Sequence, residues 1–391
     1  MLRFVCIFFS YAALVYCRRL FFLYPEETVE KFAYTKNEYG FIVTLFSICY
    51  TISKLFLGSL NDFISPSVVL AFSVGIVGVV LIFLSCASTI FELYLLVPLT
   101  ALFQGGAWVA IVKLLKQNYS STQFSILFTI MSCTNNFSGI FAPILMGESW
   151  VSISFIFGLF MIGYSLLIYC LVINKDQTGN DTGKRVANED YKKIIKSLTI
   201  WKISIFLLIT LSVRALFEMW SPVYFAQNPE ISNNFRQSAS IFEIGGAVGS
   251  VVAGLLVQYL ENYFDRDEVR WHTGAMFTGI MLIAANSFFS GFDVYFLNSF
   301  ISGFAVYACI NVYGIITADA SPYYLCGMTS AMVSFLSNFG PIIVGSPLAY
   351  FIDTFGFISI PMLLQFTTVL FVSLIFVTKN IPLHLLVEKQ D

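Results

Sequence analysis

RFVCIFFSYAALVYCRRLFFLY, residues 3–24, decides how this chain is read. It is long and apolar enough to cross a hydrocarbon core, which takes about 20 mainly apolar residues. Yet it carries two adjacent arginines, Arg18 and Arg19. An arginine near the middle of a membrane helix costs roughly 2.5–3.5 kcal/mol on insertion scales, so it normally faces a cavity, a partner or a substrate. Near a helix end the same side chain can snorkel to the interface. A third arginine, Arg214, lies inside a later apolar stretch at a matching place and weighs against snorkelling. Arg3, the apolar core and Ala12-Ala13 share features with a signal peptide. Arg18 and Arg19 interrupt that core, so the stretch is expected to stay in the chain.

Of the 391 residues, 58% are hydrophobic and 11% charged, against about 45–50% apolar and 25% charged in a soluble domain. The chain reads as an all-α, polytopic membrane protein with the lipid bilayer as its main partner. A net charge of −2 suggests no nucleic-acid partner. The 8 cysteines are scattered and show neither disulfide framework nor metal-ligand spacing. Only 2 histidines, His272 and His384, are present, so a metal site or a catalytic triad has little material. No enzyme activity, metal or cofactor is expected.

Working outward, the same length criterion gives twelve segments: 3–24, 38–59, 68–88, 92–113, 122–146, 150–174, 199–225, 237–260, 272–290, 293–317, 323–350 and 355–378. The first could continue past Pro25 into the Glu26–Lys31 region. Thr35 with Glu38 reads as a capping box opening the second. One long polar insertion, Asn174 to Ser197, divides the segments six and six. The expected organisation is a half at 1–174, a central loop at 175–198 and a second half at 199–391. Lys and Arg concentrate on one side: 14 in the even-numbered loops and termini against 3, Lys31, Lys36 and Arg236, in the odd-numbered loops. Both termini and the central loop are therefore expected in the cytosol.

Arg18 and Arg214 lie 196 residues apart, as do Gly58 and Gly254; Asn136-Phe137 and Asn338-Phe339 lie 202 apart. Three landmarks at nearly constant offset, with the polar loop at the midpoint, indicate two six-helix halves in a parallel pseudo-repeat. That is the architecture of major facilitator transporters, whose substrate site lies between the halves at the midplane. Gly58-Ser-Leu-Asn-Asp62 keeps the G-x-x-x-D core of that superfamily's 2–3 loop motif, while Gln258 takes the Asp position in the second half. Gly245, Gly249 and Ala253, with Gly246, Ser250 and Gly254, form small-xxx-small rows, and these rows and Gly105-Gly106 read as close helix packing.

Two arginines at equivalent points of the halves are expected to face each other across a central cavity. Cations have no reason to approach in low dielectric unless an anion joins them. A phosphate monoester carries about −1.5 to −2 charge at neutral pH, and guanidinium forks match its oxygens. Ion pairs with Glu218 and Glu243 are the competing use of these arginines. The two uses are compatible, because a carboxylate can hold an arginine until substrate displaces it. Lys54, one turn from a helix end, either snorkels or joins the site. Tyr50 lies one turn from it, and Tyr11 shares a face with Arg18. Such tyrosines either pack or bond sugar and phosphate oxygens. No Asp or Glu in segments 1, 2 or 5 is an obvious proton carrier, which favours exchange over proton coupling.

Arg18-Arg19, Tyr50 to Lys54 leading to Gly58 and Asp62, Gln104-Gly105 with Trp108 and Lys113, and Phe242-Glu243-Ile244-Gly245-Gly246 resemble the organophosphate:phosphate antiporters of the major facilitator superfamily. Leu325-Cys326-Gly327 with Asn338, and Gly345 with Pro347, resemble the endoplasmic-reticulum glucose-6-phosphate branch. The resemblance implies exchange of a phosphorylated sugar, glucose 6-phosphate in that branch, for inorganic phosphate in the endoplasmic-reticulum membrane. It assigns Arg18 and Arg214 to a phosphate clamp, Arg19 and Lys54 to accessory cations, and Tyr11, Tyr50, Tyr307, Asn338 and Glu243 to the cavity. Departures are Asn135 where glycerol-phosphate antiporters have a His, and Ser330 and Cys17 where the glucose-6-phosphate branch has His and Asn. The alternatives are a proton-coupled organic-anion or sugar carrier and a non-cycling membrane sensor.

Overall fold

The computed structural model describes residues 2–60, 64–119, 127, 130–131, 133–147, 149–172, 194–227, 235–291, 294–320 and 326–383. Among them the ordered elements are all helices: α1 (Leu2–Leu20), α2 (Pro25–Phe32), α3 (Lys36–Leu60), α4 (Pro66–Cys86), α5 (Ile90–Asn118), α6 (Thr134–Phe141), α7 (Trp150–Val172), α8 (Leu198–Ala215), α9 (Ser221–Ala226), α10 (Phe235–Leu260), α11 (Arg266–Phe289), α12 (Tyr295–Asp319), α13 (Cys326–Ser337), α14 (Phe339–Ile343), α15 (Ser346–Phe355) and α16 (Ser359–Thr378). Short 3-10 and π turns link some of them. Nine helical stretches among the described residues are long and apolar enough to cross a bilayer. They match every expected segment except the second, fifth and ninth. The second and ninth are also helical, as α3 and α11, of 25 and 24 residues. Of the fifth, α6 is helical and much of the rest lies outside the described residues. So do Asn61-Asp62, most of the 175–198 loop, Leu325 and the stretch from His384 onward.

The first helix does not run on past Pro25. It ends at Leu20, a 3-10 turn covers Phe21–Leu23, and Pro25 opens α2. Proline lacks an N–H and clashes with the carbonyl four residues back, so it suits the start of a helix better than its middle. Ala33 then takes a left-handed φ of 51° and ends α2. The capping box expected at α3 is present: Thr35 N–H donates to Glu38 Oε2 at 2.7 Å and Glu38 N–H to Thr35 Oγ1 at 3.3 Å.

The chain divides into two compact units. Unit 1 comprises Met1–Asp181, Phe217–Ser240 and Ile342–Asp353; unit 2 comprises Thr182–Leu216, Ile241–Pro341 and Thr354–Asp391. In unit 1, Gly105 and Gly106 let α5 press against Ser53 and Leu57 of α3, as expected of a packing pair. An aromatic cluster of Phe21, Phe22, Tyr34, Tyr39, Phe46, Trp150 and Trp220 fills the region around the α1–α2 break. Burial pushes the Tyr34 hydroxyl up to about 12, so it stays neutral beside Thr28 Oγ1 at 2.7 Å.

Unit 2 shows why α10 carries rows of small residues. Gly245 and Gly249 abut the Phe300 and Phe304 carbonyls of α12, and Gly303 of α12 abuts the Phe242 carbonyl. A Cβ at Gly303 would meet backbone rather than a side chain that can swing away. Gly303→Val is therefore expected to separate α10 from α12 and to cost more than the usual 1–3 kcal/mol of overpacking. The check is thermal unfolding in detergent, where a melting temperature equal to the parent's would contradict the fit.

Candidate functional site

In unit 1, α1, α3 and α6 bring Arg18, Tyr50, Lys54 and Asn135 together. Arg18 Nη1 donates to Tyr50 Oη at 3.3 Å, and Nη2 donates to Asn135 Oδ1 at 3.1 Å. The guanidinium carbon lies 5.5 Å from the centre of the Tyr50 ring, and Lys54 Nζ lies 4.6 Å from it. Two cations thus share one aromatic ring and are at most about 10 Å apart. At an effective dielectric near 20 their repulsion is at least about 1.7 kcal/mol. Neither has a carboxylate within ion-pair distance among the described residues. Both are half-buried, in a helix environment where charge is costly. The face of Tyr50 offsets part of that cost, since a cation over a ring gains about 0.5–2 kcal/mol. An anion would offset far more.

Arg19 is differently placed. Its Nη2 donates to Glu218 Oε1 at 2.9 Å, with the two side chains 10% and 14% exposed. Glu218 belongs to a π-helix, Leu216–Trp220, an i→i+5 winding that is frequent at functional sites. That turn is pinned in unit 1: Tyr39 Oη donates to the Met219 carbonyl, and Trp220 Nε1 donates to the Val344 carbonyl at 2.7 Å. The ion pair weighed from the sequence is thus present for Arg19. Tyr11 packs against Trp108, its ring tilted by 45° and the ring centres 5.0 Å apart.

Unit 2 holds a smaller parallel arrangement. Arg214, in the last turn of α8, lies over the face of Tyr307 of α12 at 5.2 Å. Tyr307 Oη donates to Glu243 Oε2 of α10 at 2.8 Å, and Glu243 is buried. The hydroxyl thus ties the carboxylate to the ring that carries the arginine. Asn338, between α13 and α14, is buried and donates to the Ser334 carbonyl one turn back. Each arginine rests on a tyrosine in its own unit, a likeness that periodicity in the sequence does not reveal.

Two groups escaped the sequence reading. Asn135 entered only as a departure from a family His, although it is a hydrogen-bond partner of Arg18. Arg266 and Arg270 are two of the 14 basic residues counted in the even-numbered loops and termini. Arg270 is buried, with Nε on Glu261 and Nη1 on Asp319, both at 2.5 Å, and Arg266 reaches Asp319 at 2.9 Å. Glu261, three residues after Gln258, is the carboxylate that ties this end of unit 2.

Apolar helices of membrane-spanning length, holding half-buried cations on tyrosine faces, define a multi-pass membrane protein built like a solute transporter. The chain belongs to the Major Facilitator Superfamily, whose family model matches residues 3–344. Among curated proteins it is similar to the membrane sensor protein UhpC of Salmonella typhimurium, 23% identical over 64% of this chain and 62% of that protein. It is also similar to the probable hexose phosphate transport protein of Chlamydia trachomatis, 24% identical over 65% of this chain and 63% of that protein. The chain thus spans under two thirds of the length of these relatives. One is named for sensing and the other for hexose phosphate transport; the narrower likeness to the endoplasmic-reticulum branch is not shown by them. Among solved structures, the fold matches a bacterial homologue of the lysosomal transporter Spinster, with TM-score 0.77 and 13% identity over 97% of both chains.

Proposed function

We propose that the protein is an antiporter exchanging a phosphorylated sugar, glucose 6-phosphate, for inorganic phosphate by alternating access. The observation that carries this is the pair Arg18 and Lys54, two cations on the Tyr50 ring with no carboxylate beside them among the described residues. A dianionic phosphate is the guest whose charge matches such a pair. Arg18 and Arg214 form the clamp, Arg19 and Lys54 are accessory cations, and Tyr11, Tyr50, Tyr307, Asn338 and Glu243 line the cavity. The availability of three arginines favours phosphate over a carboxylate, for which fewer donors would serve. The related proteins named for hexose phosphate transport support the sugar phosphate. The six-and-six division, with halves at 1–174 and 199–391 and cytosolic termini in the endoplasmic-reticulum membrane, belongs to the same proposal.

Counterflow tests it. Liposomes preloaded with inorganic phosphate and offered labelled phosphate esters should accumulate glucose 6-phosphate, and should do so without a pH gradient. Uptake that needs a pH gradient and no internal phosphate would make the protein a proton-coupled carrier instead. A sensor is the second reading, favoured by the name of one relative; binding of phosphate esters without any counterflow would select it.

A further inference from the structure

Gln104 of α5 is 5% exposed, and its Nε2 has no hydrogen-bond partner among the described residues. Buried amide nitrogens nearly always find one, so an orphan calls for a reason. Packing does not supply it. The α3–α5 contact is made by Gly105 and Gly106, and its polar group, Ser53 Oγ, is already spent on the Leu102 carbonyl. Gln104 and Trp108, at i and i+4, share a face of the helix. Trp108 packs against Tyr11 of α1, and Gly105, the residue after Gln104, abuts the backbone of Lys54. The bare amide therefore lies between the helices that carry Arg18 and Lys54. Ser138 Oγ, buried on α6 one turn from Asn135, is a second orphan in the same unit. A hydrophobic side chain would fill either place without leaving a polar group unmet. Bare donors on helices that pack against those carrying Arg18 and Lys54 suit a guest that brings hydroxyl oxygens as well as phosphate.

We infer that Gln104 is a specificity-determining residue, donating its amide N–H to a hydroxyl on the sugar portion of the guest. It rests on the antiport reading above and narrows it: the ester preferred is polyhydroxylated, and a bare alkyl phosphate is not an equivalent guest. Arg18 and Lys54 answer to the phosphate, and Gln104 to what the phosphate is attached to.

The test uses the full chain in proteoliposomes preloaded with inorganic phosphate, measuring KM for external phosphate, glucose 6-phosphate and ethyl phosphate. In the parent protein glucose 6-phosphate should have a lower KM than ethyl phosphate. Gln104→Met is close in volume and removes the donor. It should raise the ratio of the glucose 6-phosphate KM to the phosphate KM about tenfold, the scale of one lost hydrogen bond to a bound hydroxyl. The change should fall on KM rather than kcat, as for an interaction made equally throughout the cycle. Gln104→Leu serves as a second variant should the first fail to fold, with the same ratio expected. A ratio within twofold of the parent's, or equal loss for all three compounds, overturns the inference and leaves the antiport reading standing. A parent protein that exchanges no phosphate overturns both.

Discussion

Arg18→Ala is expected to abolish exchange of inorganic phosphate in proteoliposomes while the protein still folds and inserts. Each charged hydrogen bond to a phosphate oxygen is worth about 1.5–3 kcal/mol. Losing a two-pronged contact therefore removes roughly 3–6 kcal/mol, or about 10²–10⁴ in affinity. The fold should not suffer in proportion. Both side-chain partners of Arg18, Tyr50 and Asn135, are neutral, so its removal strands no buried charge. It also ends the repulsion with Lys54 across the shared ring. The signature is thus lost exchange with a melting temperature at or above the parent's. Arg18→Lys should fail too, by about 10–100-fold, because an ammonium restores the charge without the planar fork. Arg214→Ala should likewise end exchange if it is the other arm of the clamp. Full exchange in Arg18→Ala would remove the phosphate clamp from unit 1.

The contrast between Arg18 and its neighbour marks what the sequence could and could not disclose. Both arginines stand in one apolar run, and hydropathy treats them alike. Their fates diverge because one helical step, about 100°, turns them toward different surroundings. Arg18 meets a tyrosine and an asparagine; Arg19 meets a carboxylate 199 residues later. Local signals fared better. The Thr35–Glu38 box and the glycine rows act within a few residues of themselves, and the structure bears them out. The break at Pro25 was also written locally, yet a count of apolar residues passes over it. The π-helix at Leu216–Trp220 has no such signature, since an i→i+5 turn is chosen by its partners: Arg19 on Glu218, Tyr39 on Met219 and Trp220 on Val344. Gln104 belongs to the pattern that carries the family resemblance, but only the structure shows a buried amide without a partner among the described residues.

Breaking the Arg19–Glu218 pair should separate the two uses of an intramembrane arginine. Removing one partner of a buried ion pair leaves an uncompensated charge and typically costs 3–5 kcal/mol. Arg19→Met and Glu218→Leu should therefore each lower the melting temperature sharply, unlike Arg18→Ala. Replacing both with apolar residues of similar volume is often neutral or stabilising, so the double variant should recover the lost stability. Exchange should not recover with it. If Arg19 is an accessory cation, the dianionic guest competes with Glu218 for its donors, and the double variant offers nothing to compete for. We expect its KM for phosphate to stay raised about tenfold, the worth of roughly one charged hydrogen bond. A double variant with both parental stability and parental KM would confine Arg19 to holding the π-helix against α1. The phosphate would then be left to Arg18, Lys54 and Arg214, and the adjacency of the two arginines would be a coincidence of packing.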